Sequence, residues 1–122
     1  MKLTQESHVR HRIRGYDAGE VRINDQSIRH NCLISADQLN PWHCSREMST
    51  DTIQPILAMN PEVVILGLPD LRNLPNASIY AAFLERGIGF EVMDIGAACR
   101  TLNILLGEDR KVVAAMLLEK SN

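Results

Sequence analysis

Residues 92–103, VMDIGAACRTLN, hold most of the residue types in this chain that could do chemistry. An aspartate closes an apolar run, a glycine and two alanines follow, and a cysteine and an arginine open a helical pattern. Three roles fit. The first is an anion cradle: free N–H groups of Gly96, Ala97 and Ala98 at the positive end of a helix, with Arg100 and Thr101 adding donors. The second is a nucleophile, Cys99, with its thiol acidified by the helix N-terminus. The third is close packing, with Asp94 capping the helix and small residues letting it approach a sheet.

The helix pattern decides against the nucleophile. Ala98, Cys99, Leu102, Leu105 and Leu106 recur at helical spacing and form a core stripe, where a cysteine behaves as a small hydrophobe. No histidine follows His43, so a Cys–His pair would need a distant contact. Packing is preferred over the cradle, because a strand–helix junction needs small residues even without a ligand. Asn103, at the border of the stripe, is placed to hydrogen-bond a neighbouring loop or to line a pocket. A ligand or partner site here would comprise Gly67, Asp94, Gly96, Ala97, Arg100, Thr101 and Asn103. Gly67 belongs to it because it ends the preceding strand, and open α/β sheets take ligands outside the carboxyl ends of their strands.

Other constellations are weaker. His30 and Cys32 alternate and would share one side of a strand, with His43 and Cys44 a loop away, but the spacing matches no common zinc pattern. "GIG" at residues 87–89 precedes its strand, the reverse of a dinucleotide fingerprint. No paired carboxylates suit acid–base work. The expectation is no catalytic residue, no metal and no cofactor.

The elements that must position these residues differ between the two halves of the chain. Residues 9–34 alternate ("VRHRIRGY", "GEVRIN", "SIRHNCLIS") and read as three antiparallel strands, with Ile13, Val21 and Ile23 inward and the arginines solvated. Residues 35–49 have no period and read as a loop. A first helix runs through "IQPILAM", with Pro55 tolerated near its start and "NP" at Asn60 and Pro61 ending it. From residue 62 to 119 the pattern is strand, helix, strand, helix, strand, which implies parallel pairing with right-handed crossovers. The predicted fold is one α/β domain over residues 1–122: an antiparallel meander against a mixed, partly parallel sheet, with about three helices.

Bulk properties narrow the class. The 122 residues are 45% hydrophobic and 23% charged, as in a globular domain. A net charge of -2 gives no electrostatic case for nucleic acid. Three unevenly spaced cysteines suit free thiols in a reducing compartment. The longest apolar run is too short to span a bilayer, and the N-terminus lacks a signal-peptide core. A cytoplasmic protein without membrane insertion is expected. Unprotected sheet edges allow a homodimer.

The second half also resembles a known family. Arg86-Gly87-Ile88-Gly89, Glu91-Val92-Met93, Ala97-Ala98, Arg100-Thr101, Asn103, and later Glu108, Arg110, Val112 and Ala114-Ala115 resemble the domain-of-unknown-function 498/598 family. Its members include short bacterial proteins and a mitochondrial complex I assembly factor. The resemblance implies an antiparallel N-terminal portion on a mixed α/β sheet, no agreed enzymatic activity, and, through the mitochondrial member, action by protein contact. The chain departs from the family pattern at Gly67-Leu68-Pro69, where Gly-Thr-Gly is usual, at Ile95, where a small polar residue is usual, and at Leu102, where an aromatic is common. Losing polar groups at both strand ends weakens a ligand site there. The reading is therefore a non-enzymatic interaction or assembly factor with a protein partner. The rival is a binder or enzyme for an anionic metabolite at the strand ends.

Overall fold

The computed structural model describes residues 10–44 and 47–119. Val9, the first residue of the expected meander, and the N-terminal run before it lie outside them. The alternating segment forms β1 (Ile13–Asp17), β2 (Glu20–Ile23) and β3 (Gln26–Ile28), an antiparallel sheet in that order. Ile13, Val21, Ile23 and Ile28 are buried on one face while Arg12, Arg14 and Arg22 stay exposed, as period-two alternation requires.

The expected third strand does not run through. It breaks after Ile28, and β4 (Cys32–Ile34) joins a different sheet. All three β4 residues are buried, a pattern for a strand covered on both faces rather than one half-exposed. His30 is exposed between the strands and Cys32 is buried, so the two do not share a strand. No group of three metal-ligating side chains occurs among the described residues. Within the segment read as loop, β5 (Leu39–Pro41) pairs antiparallel with β4, too short to show a period.

Helix α1 (Thr50–Leu57) starts at Ser49, whose N–H donates to Thr52 Oγ1 at 2.8 Å. Pro55 lies deeper than the first turn. It is exposed, as is Asp51 one turn earlier, so the carbonyl left without a donor faces water. The alternation that follows matches the sequence pattern: β6 (Val63–Leu68), α2 (Ala77–Leu84), β7 (Gly89–Asp94), α3 (Ile95–Gly107) and β8 (Val112–Met116). Asn76 caps α2 through Ser78 N–H at 3.0 Å, and Gly87 takes φ 71° beyond its end.

β6 pairs parallel with both β7 and β8, and the larger sheet runs β5-β4-β8-β6-β7. Its alternate residues feed two cores. Val64, Leu66, Leu68, Val113 and Ala115 meet Ile53, Ile56, Ile79, Phe83 and Trp42 on the α1/α2 side. Ile65, Ala114, Met116 and Cys32 meet Ala98, Cys99 and Leu102 of α3, together with the inward residues of the small sheet. The protein is thus one α/β domain of four layers, with α1 and α2 on one face of the large sheet and α3 held between the two sheets. No described helix is long and apolar enough to cross a membrane.

Candidate functional site

The junction of β7 and α3 is occupied by the chain itself. Asp94 caps α3 by accepting Ala97 N–H at 2.8 Å. Gly96 lies under the ring of Tyr16, from β1, and a Cβ there would come within 2.8 Å of it. Arg100 Nη1 donates to Tyr16 Oη at 2.7 Å, on the surface. One turn on, Asn103 grips the backbone of Ile13: its Oδ1 accepts the N–H and its Nδ2 donates to the carbonyl, each at 2.9 Å. Gly96, Arg100 and Asn103 thus form one side of α3, and that side carries the small sheet.

Gly67 is buried beneath α3, where a Cβ would meet Met116 Sδ at 2.7 Å, Ala98 Cβ at 3.1 Å and Ile95 Cδ1 at 3.2 Å. Ala97 and Thr101 are half-buried, and Thr101 is turned about 100° around the helix from Arg100. The sequence pattern could not reveal Tyr16, which sits in a strand 84 residues from Arg100.

None of the thiols is set up as a nucleophile. Burial pushes Cys99 up to about 11, against a smaller opposing pull from Arg100. Burial pushes Cys32 up to about 12, with Cys99 adding to it. Cys44 is also raised by burial, partly offset by a hydrogen bond with Thr52. Reactive cysteines are shifted the other way.

Open space lies elsewhere on the carboxyl side of the sheet. A cleft of about 570 Å³ is lined by Leu68, Pro69 and Asp70 after β6 and by Leu117 and Glu119 after β8. Its position beyond parallel strand ends is where α/β sheets take ligands, and its volume suits a small molecule or a side chain. Buried Asn31 closes one wall: its Oδ1 accepts Leu118 and Glu119 N–H groups at 2.7 and 2.9 Å, and its own N–H donates to Glu119 Oε2 at 3.2 Å.

On the rim, Arg72 donates to Asp70 from Nε at 3.0 Å and from Nη2 at 2.8 Å. Those bonds, with a third from the Arg72 N–H at 2.9 Å, hold the Asp70 carboxyl down at about 2. Asp70 is therefore a fixed charge rather than a proton carrier at neutral pH. The Asp-x-Arg spacing was a visible signal for this pair. The Asn31 bonds, spanning 87 residues, left none.

This arrangement defines a class before it defines a protein: a layered α/β domain of two sheets and three helices, with a polar cleft at the strand ends and no catalytic constellation among its described residues. The chain belongs to the family described as protein of unknown function (DUF498/DUF598), which matches residues 13–117.

A Xanthomonas campestris structure is similar over 100% of this chain and 98% of its own, with a TM-score of 0.82 and 30% identity. A Francisella tularensis protein named "13 kDa major membrane protein" is 27% identical over 80% of this chain and 82% of its own length. Human NADH dehydrogenase (ubiquinone) 1 alpha subcomplex assembly factor 3 is 26% identical over 86% of this chain. The match spans only 59% of that human protein.

Proposed function

We propose that this protein works by contact with other proteins, as an assembly or accessory factor, and does not catalyse a reaction. One observation carries the reading. Of the groups a ligand would need, Ala97 N–H is spent on the Asp94 carboxylate, Arg100 donates to Tyr16, Asn103 holds the Ile13 backbone, and Gly67 and Gly96 are covered by Met116 and Tyr16, which leaves Thr101 half-buried beside them. Meanwhile large apolar side chains stay in solvent on the β6–α2 loop and on α2: Leu71, Leu74 at 56%, Tyr80 and Leu84 at 77% exposure. Similarity to a protein named as an assembly factor supports the same reading.

The test is affinity capture of the tagged protein from its native cell, beside a Leu71→Glu, Leu74→Glu variant. Both positions are exposed, so the variant keeps its melting temperature. A stoichiometric partner lost with the variant is the expected result. No partner, together with turnover of a metabolite, reverses the reading. The cytoplasm is the proposed place of action, resting on the unbridged thiols of Cys32 and Cys99, and recovery in the membrane fraction would count against it.

A second reading is favoured by the cleft alone: binding of an anionic metabolite at the carboxyl ends of β6 and β8. A thermal-shift screen against phosphorylated metabolites addresses it, because a ligand that prefers the folded state raises the melting temperature. Loss of the shift in Arg72→Ala would put the ligand in the cleft, and loss in Arg100→Ala at the α3 junction.

A further inference from the structure

Sheet edges invite pairing with other strands unless something blocks them. Three of the edges in this fold are blocked or curtailed. β5 has three residues and ends in Pro41, which lacks an N–H. β3 also has three residues. β1 carries a register shift between Ile13 and Gly15, and Asn103 already takes both backbone groups of Ile13. The fourth, β7, is different. It has six residues, pairs with β6 in unbroken register, and has no proline, lysine or bulge. Among the described residues no strand lies on its outer side.

The direction of its free groups follows from one bond. Gly89 N–H donates to Glu62 O at 3.0 Å, so Gly89 faces β6. Backbone groups alternate sides along a strand, so Glu91 and Met93 also face β6, while Phe90 and Val92 turn their N–H and C=O outward. Beside this edge, α2 exposes Tyr80 and Leu84, one turn apart. The Tyr80 ring meets Phe90 edge-on at 5.2 Å, so that stripe borders β7 itself.

From this geometry we infer that β7 is a self-association edge, pairing antiparallel with β7 of a second copy to make one continuous sheet across a two-fold axis. The occupant is chosen by self-complementarity. A register centred on Val92 sets Val92 against Val92 of the second copy and places Glu91 opposite Met93. A register centred on Glu91 would set two carboxylates face to face, which is destabilising. A two-fold axis normal to the sheet also brings both α2 helices to the same face, so the Tyr80–Leu84 stripes cover one another. Such an interface is isologous and closes at two copies. This inference goes beyond the assembly-factor reading and does not depend on it: it assigns Tyr80 and Leu84 to the second copy and leaves Leu71 and Leu74 to a different partner.

The experiment is sedimentation equilibrium of the full chain over a concentration series, with amide exchange read at low and high concentration. A dimer is expected, with the Phe90 and Val92 amides gaining protection as it forms and Glu91 and Met93 protected throughout. Leu84→Glu changes an exposed position and should weaken dimerisation at least tenfold with an unchanged melting temperature. Val92→Pro removes an outward N–H, which edge strands tolerate, while keeping an apolar ring where Val92 packs against the α1/α2-side core, and should give a folded monomer. A monomer at every concentration overturns the inference. So does a dimer that both variants leave intact, or protection of Phe90 and Val92 that appears only with a different protein present.

Discussion

At the scale of single residues, Asn103 does for β1 what a neighbouring strand would do. Its amide offers a donor and an acceptor on separate atoms, and both reach the backbone of Ile13 at 2.9 Å. Asn103→Leu keeps the branched shape but strands an N–H and a C=O, each costing about 1–3 kcal/mol when left unpaired and shielded from water. A loss of about 2–4 kcal/mol in urea denaturation is expected, while a loss under about 0.5 kcal/mol would mean that water replaces the amide freely. The position of Asn103 at the border of an apolar stripe is readable from helical spacing. Its partner, 90 residues earlier, is not, because nothing local encodes a contact between a helix side and a strand in another sheet.

At the scale of elements, α3 is seated by two glycines that look alike in sequence and act differently. Gly67 lies under the helix, where Ala98 and Ile95 crowd any added carbon and Met116 fills the remaining space. Gly96 lies in the helix, where only the exposed tip of Tyr16 stands in the way. Gly67→Ala should therefore destabilise by about 1–3 kcal/mol through overpacking. Gly96→Ala should fall within about 0.5 kcal/mol of wild type, because the tyrosine tip can swing away and alanine, even in the first helical turn, loses less backbone entropy than glycine. Thermal melts of both variants decide, and equal losses would refute the distinction. The second half of the fold was legible because each element there is long enough to show its period, and α2 carries its own stop signal in Gly87, whereas α3 runs through Gly107 and turns only at Asp109, with φ 63°. The break after Ile28 and the short β5 were not legible. Both are fixed by long-range bonds, such as those of Asn31 to the chain after β8, rather than by local pattern.

At the scale of the whole molecule, two cores share one sheet, so neither can loosen alone. β6 and β8 send alternate side chains to each, and Val64 cannot lose its ladder without Ile65 losing its own. Cys32 and Cys99 give a chemical handle on one side of that sheet, and Trp42, the chain's single tryptophan, gives an optical handle on the other. Its indole N–H donates to Thr52 O at 2.9 Å, so the signal depends on α1 being in place. An unfolded thiol titrates near 9.0, whereas the folded Cys99 and Cys32 hold their protons to about 11 and about 12.

Below pH 9 both states carry neutral thiols, and this contribution to stability is fully present. As pH rises past 9 the unfolded chain sheds protons that the folded chain keeps, so stability falls with pH, and the fall ends once the folded thiols ionise. Urea midpoints followed by Trp42 fluorescence should therefore drop between pH 8 and pH 10.5, although Cys32 and Cys99 lie on the opposite face of the sheet. Cys99→Ala lowers the midpoint at every pH by creating a small void, but it should make the alkaline drop shallower. If the drop kept its full size in Cys99→Ala and in Cys32→Ala alike, Cys32 and Cys99 would not be its source. If Trp42 reported unfolding at a different midpoint from far-UV circular dichroism, the two cores would be separable.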